Sequence, residues 1–138
     1  MRRLPGARRL PGTLESSQGA AVIDKQGTGF YIAYPTTTEL KPIYRGLKTM
    51  VNNRHTKVGV TVKSFLSRER EYLGTFGGEV EFVPIAEVPA SQLELLEQII
   101  LDKVCEKYRK VGNAREWFDT DDRESIVAIV LSVLHEQQ

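Results

Sequence analysis

A single acidic residue on an otherwise apolar helix face constrains this chain more than any other feature. The segment Ser91 to Val111 is predicted to be a helix, because Ser91 and Glu94 have capping-box spacing ahead of an apolar run. At about 100° per residue, Leu93, Leu96, Ile100, Val104 and Tyr108 fall on one stripe. Glu97 falls within that stripe, whereas Glu94, Gln98, Asp102, Glu106 and Arg109 fall outside it. A carboxylate facing a core is costly unless a cation or hydrogen bonds compensate it. A basic side chain, a divalent metal, or water at the edge of the stripe must therefore meet Glu97.

Around that helix the pattern alternates between strand and helix. Ala20 to Ile23 and Gly29 to Tyr34 are predicted to be short strands around the Lys25-Gln26-Gly27 turn. Lys57 to Val62 is a β-branched strand, and Glu79 to Val88 a third, with Val80, Phe82 and Ile85 facing inward. Phe65 to Leu73 is a short helix carrying Arg68, Arg70 and Tyr72, ended by Gly74, Gly77 and Gly78. Gly112-Asn113 breaks the Glu97 helix. A last helix runs from about Asp121 to His135, and its arc from Ile126 to Leu134 is apolar enough to pack on two sides, one of which could be a second copy or a partner protein. The expected fold is α+β: a small antiparallel sheet of about three main strands flanked by helices. Its parts are a basic arm (1–19), a central domain (20–118) and a C-terminal helix (119–138).

Charge and cysteine usage narrow the function. The net charge of +1 hides a strong asymmetry, since residues 40–70 carry eight basic side chains against Glu69 alone. Residues 71–138 carry six basic and fourteen acidic ones. The basic half is what a polyanion-binding face would need, although a solvated surface has the same composition. The N-terminal Arg-Arg-Leu-Pro-Gly repeat favours an extended arm and not a signal peptide. Cys105 is the lone cysteine, which fits a reducing, cytoplasmic setting. One cysteine with His55 and His135 cannot build a zinc site. No apolar run approaches the length of a membrane span. Gly27-Thr28-Gly29 lacks the further glycines and the following helix of a phosphate loop.

What remains is an ordered set: Gly29-Phe30-Tyr31 on one strand, Lys57-Val58-Gly59 on the next, Arg68 on the following helix and Glu97 on the long one. Over about residues 27–118 this order resembles the GIY-YIG nuclease superfamily. Phe30 stands for the Ile of the first motif, and Lys57 for the Tyr of the second, as in some restriction-type and phage-associated members. Tyr72 sits where many members have a His, Asn113 roughly where several have a supporting Asn, and Arg115-Glu116-Trp117-Phe118 looks like the ending of the phage-associated branch.

The resemblance implies a metal-dependent endonuclease hydrolysing DNA phosphodiester bonds, of homing, phage or restriction type. Glu97 would hold one Mg²⁺ or Mn²⁺. Arg68, or Arg70 in its place, would steady the charged phosphate. Either Tyr31 or Lys57 would activate the water, and Lys57 could do so only with a pKa far below about 10.4. Tyr72 and Asn113 would support them. Arg45, Lys48, Arg54, Lys63 and Arg70 are the expected DNA contacts. A non-catalytic nucleic-acid-binding or protein-interaction module on the same scaffold is the alternative.

Overall fold

Strand β1 (Gly29–Pro35) is buried along nearly its whole length, so both of its edges and both of its faces must be covered. A computed structural model describing residues 23–44 and 48–137 shows how. The order along the chain is β1, β2 (Lys41–Pro42), β3 (Met50–Val51), β4 (Thr56–Thr61), α1 (Phe65–Phe76), β5 (Val80–Glu87), α2 (Ala90–Lys107), β6 (Trp117–Phe118) and α3 (Arg123–Glu136). The main sheet runs β5-β1-β4-β6, antiparallel throughout, and β2 pairs with β3 separately. The fold is α+β.

The period-two alternation of β1 sorts its side chains onto the two faces. Phe30 and Ile32 point to one side, where α2 and α3 close the main core with Leu93, Leu96, Ile100, Val104, Ile126 and Val130. Tyr31 and Ala33 point to the other, packed with Phe65 at the start of α1 and Phe82 of β5. A third cluster of Ile43, Val51, Phe76, Val80 and Trp117 ties the β2–β3 segment to the same side. At the pairing of Phe30 with Ala86 and of Tyr31 with Pro84, the register of β5 shifts, leaving Ile85 as the extra residue. That bulge explains why Val80 and Phe82 face α1 while Ile85 joins the opposite core. Gly29 sits where β5 comes closest: a Cβ there would lie 2.0 Å from the Ala86 carbonyl oxygen.

Several expectations change. The sheet gains a fourth strand, β6, whose two residues are too short to leave a periodic pattern. Helix α1 runs through Gly74 to Phe76, with Ser64 as its N-cap and Gly77 as its C-cap. The Ser91–Glu94 capping box does not form. Helix α2 starts at Ala90 behind Pro89, so Ser91 already lies in the first turn and no side chain caps it. The helix ends at Lys107, because Tyr108 turns extended and Lys110 bridges to Phe118, returning the chain to the sheet edge.

Leu101 joins the buried side of α2, and Glu97 lies at the edge of that side, half-buried, instead of facing the core. The apolar arc of α3 is spent on the chain's own interior: Ile126, Val127, Val130, Val133 and Leu134 are buried, and Ile129 and Leu131 pack against the same cluster. No helix among the described residues is long and apolar enough to cross a membrane. The N-terminal arm, most of the expected Ala20–Ile23 strand and Arg45 lie outside the described residues.

Candidate active site

Directly opposed residues of an antiparallel pair share a face. The pairings Tyr31–Gly59, Ala33–Lys57 and Lys57–Trp117 therefore align Tyr31, Lys57, Gly59 and Trp117 on the α1 side of the sheet. Gly59 is what lets them lie close. A Cβ built on it would fall 2.5 Å from both Cζ and the hydroxyl oxygen of Tyr31, so the ring lies across the glycine. Phe82 stacks on that ring at 4.6 Å between centroids, and Tyr72 of α1 meets it edge-on at 5.7 Å.

The two tyrosine hydroxyls share a 2.8 Å hydrogen bond. Burial pushes both phenols well above their ordinary pKa, more than the nearby Arg68 charge pulls them down, so both keep their protons. Arg68, one turn before Tyr72, donates from Nη1 to Glu71 at 2.9 Å, and Lys63 bonds the other oxygen of the same carboxylate at 3.0 Å. The Nε–H of Arg68 is buried with no partner. The guanidinium, fixed through Nη1 and 31% exposed, can take an anionic oxygen on its open side.

Glu116, immediately before β6, is the residue the sequence reading did not single out. Its Oε1 lies 2.6 Å from Lys57 Nζ, and its Oε2 3.6 Å from Arg115. The Glu97 carboxyl of α2 comes close enough for the two acids to ionise as an interacting pair. Burial, then the hydrogen bond and negative charge of Glu116, push Glu97 up to about 7. Glu116 moves the other way: burial opposes its ionisation, but the Glu97 hydrogen bond and Lys57 hold it below the usual carboxylate range. Of the two, Glu97 is the one whose ionisation is disfavoured. Glu116 also bears on the tyrosines, raising the pKa of both, so it links the Tyr31–Tyr72–Arg68 group to the Lys57–Glu97 group.

The pair stands between two openings. A cleft of about 740 Å³ is lined by Tyr44, Lys48, Lys57, Asn113, Glu116 and Trp117, among others. A smaller one of about 520 Å³ is lined by Glu94, Leu95, Glu97, Gln98 and Arg115. Glu97 and Glu116 could hold a metal ion. No group of three or more potential Asp, Glu, His or Cys ligands converges among the described residues. A site of one or two carboxylates fits Mg²⁺ or Mn²⁺, which keep waters and substrate oxygens in the remaining positions.

Of the other expected site residues, Asn113 and Lys48 are exposed and line the larger cleft. Lys63 joins Arg68 through Glu71. Arg54 and Arg70 are exposed, and among the described residues neither side chain bonds to the cluster. Comparison of the chain with protein-family models, curated proteins and solved structures gave no match.

Proposed function

We infer that this chain is a metal-dependent endonuclease, hydrolysing DNA phosphodiester bonds at a GIY-YIG-like centre. One observation supports this above the rest. Tyr31, Lys57, Arg68, Tyr72 and Glu97, drawn from β1, β4, α1 and α2, lie in one electrostatically connected cluster joined by Glu116. Mg²⁺ or Mn²⁺ held by Glu97 would polarise the phosphate and relieve charge on the leaving oxygen.

The chain's own groups divide the remaining work. Arg68, whose side chain is 31% exposed, offers its guanidinium to a non-bridging oxygen, where charge builds as water attacks phosphorus. Tyr31 holds its proton, so it orients the water or the phosphate and does not act as the base. Glu116, ionised and bonded to Lys57, is the acceptor for the water's proton as the new P–O bond forms and the old one breaks. Solvent protonates the leaving oxygen. Lys48 and Lys63, beside the cluster, are the phosphate contacts that would hold the strand.

The test is supercoiled plasmid incubated with Mg²⁺, Mn²⁺ or EDTA. Wild type should nick it only with metal. Glu97→Ala and Arg68→Ala should each lose roughly 10²-fold or more while keeping a wild-type melting curve. Full activity of folded Glu97→Ala would overturn the assignment.

A non-catalytic nucleic-acid-binding module is the second reading. It is favoured by the engagement of both base candidates, Tyr31 with Tyr72 and Lys57 with Glu116. It predicts binding with a steep salt dependence and no nicks with any divalent ion.

A further inference from the structure

We propose that the 740 Å³ cleft beside the cluster receives one unstacked nucleotide of the bound strand, so that the substrate is nucleic acid with unpaired bases and not uniform duplex. The inference rests on the reading that the adjacent cluster handles a phosphodiester.

The cleft has the size of a small-ligand site, within the roughly 300–1,000 Å³ such sites occupy. Its wall carries Trp117, whose residue is 2% exposed and whose Nε1–H is buried without a partner. Set in that wall and packed among Ile43, Phe76 and Val80, the indole senses what enters the cleft. Tyr44, 57% exposed, offers its ring at the same cleft. Exposed aromatic rings are the usual platforms for single-stranded bases. Lys48 and Arg115 add positive charge at the cleft, and the Lys57–Glu116 pair lines it too.

A base with its adjoining phosphate uses both features, the ring of Tyr44 and the cations. Free inorganic phosphate would use only the cations. A base still paired and stacked in a duplex cannot lay its face on the Tyr44 ring. The cleft shares Lys57 and Glu116 with the catalytic cluster, so a nucleotide seated there brings its phosphate beside that pair.

Trp117 is the chain's one tryptophan, which makes occupancy directly visible. Oligothymidylate, a blunt duplex of equal phosphate count and inorganic phosphate are titrated in EDTA while Trp117 emission and ligand anisotropy are followed. Saturable quenching by oligothymidylate, with little by duplex and none by phosphate, is expected. Tyr44→Ala should weaken that binding roughly tenfold, the loss of about one stacked base.

Equal quenching by duplex, or quenching by phosphate alone, overturns the nucleotide assignment. So does oligothymidylate that binds by anisotropy without changing Trp117 emission, and so does absence of any binding. Nicking of plain duplex without quenching removes this inference and leaves the nuclease reading intact. Quenching without nicking does the reverse.

Discussion

Gly59→Ala is the perturbation that tests the geometry most directly, because one methyl group meets one named ring. The added Cβ would lie 2.5 Å from Cζ and from the hydroxyl oxygen of Tyr31, whereas carbon contacts settle near 3.5–4.0 Å. The ring must therefore withdraw by about 1 Å. It has little room: Tyr31 is 1% exposed, stacked on Phe82 at 4.6 Å and bonded to Tyr72 at 2.8 Å. Forcing volume into such a site costs about 1–3 kcal/mol, and breaking the hydroxyl pair adds about 1 kcal/mol.

A loss near 3 kcal/mol, or a fall of roughly 10 °C in Tm, is expected for a domain this size. Urea unfolding followed by Trp117 emission measures it. Tyr31→Leu removes the clashing atoms, so the same Gly59→Ala change in that background should cost less than about 0.5 kcal/mol. The resulting coupling of about 2–3 kcal/mol is the decisive number. If the two substitutions simply add, Gly59 is not where it is for the sake of the Tyr31 ring.

Two further perturbations probe the charged half. The folded pKa of Glu97 lies above its unfolded value, so the native state binds more protons and stability should decline as pH rises from about 4.5 toward 7. Urea midpoints across that window in EDTA should show the decline, and Glu97→Gln should flatten it; an unchanged slope in the variant would assign the effect elsewhere. Lys57→Ala strands Glu116 beside Glu97 without its cation, with only 10% and 20% of the paired side chains exposed. A loss of about 3 kcal/mol is expected, most of it recovered by adding Glu116→Gln; a double variant no more stable than the single one would mean that packing, not charge, is what Lys57 supplies.

How much of this was legible beforehand follows from how each element is specified. The three main strands and three helices announce themselves because burial imposes a period on residues such as Val80 and Phe82 or Leu93, Leu96 and Ile100. Tyr31 and Lys57 could be named from short motifs, but their shared face depends on a pairing register that spans β1 and β4. The capping box at Ser91 was a local pattern overridden by Pro89, which sets the turn one step earlier.

Glu116, quoted only as part of the Arg115–Phe118 ending, drew no role of its own for a different reason. Locally it is one more acid in an acidic stretch, flanked by Arg115 and an aromatic pair. Its importance is created by the two-residue strand that follows it, which sets Trp117 opposite Lys57 and so brings Glu116 within 2.6 Å of the lysine. The same pairing changes what Glu97 means. Read on its helix alone, Glu97 calls for a cation to offset burial. Placed at the edge of α2 and close to Glu116, it eases that cost by resisting ionisation, its pKa pushed up to about 7. Two acids that ionise as an interacting pair form a site that favours added positive charge, and Lys57 supplies only part of it. The case for a divalent cation thus rests on a pair of acids brought together by tertiary pairing, where the sequence offered only one.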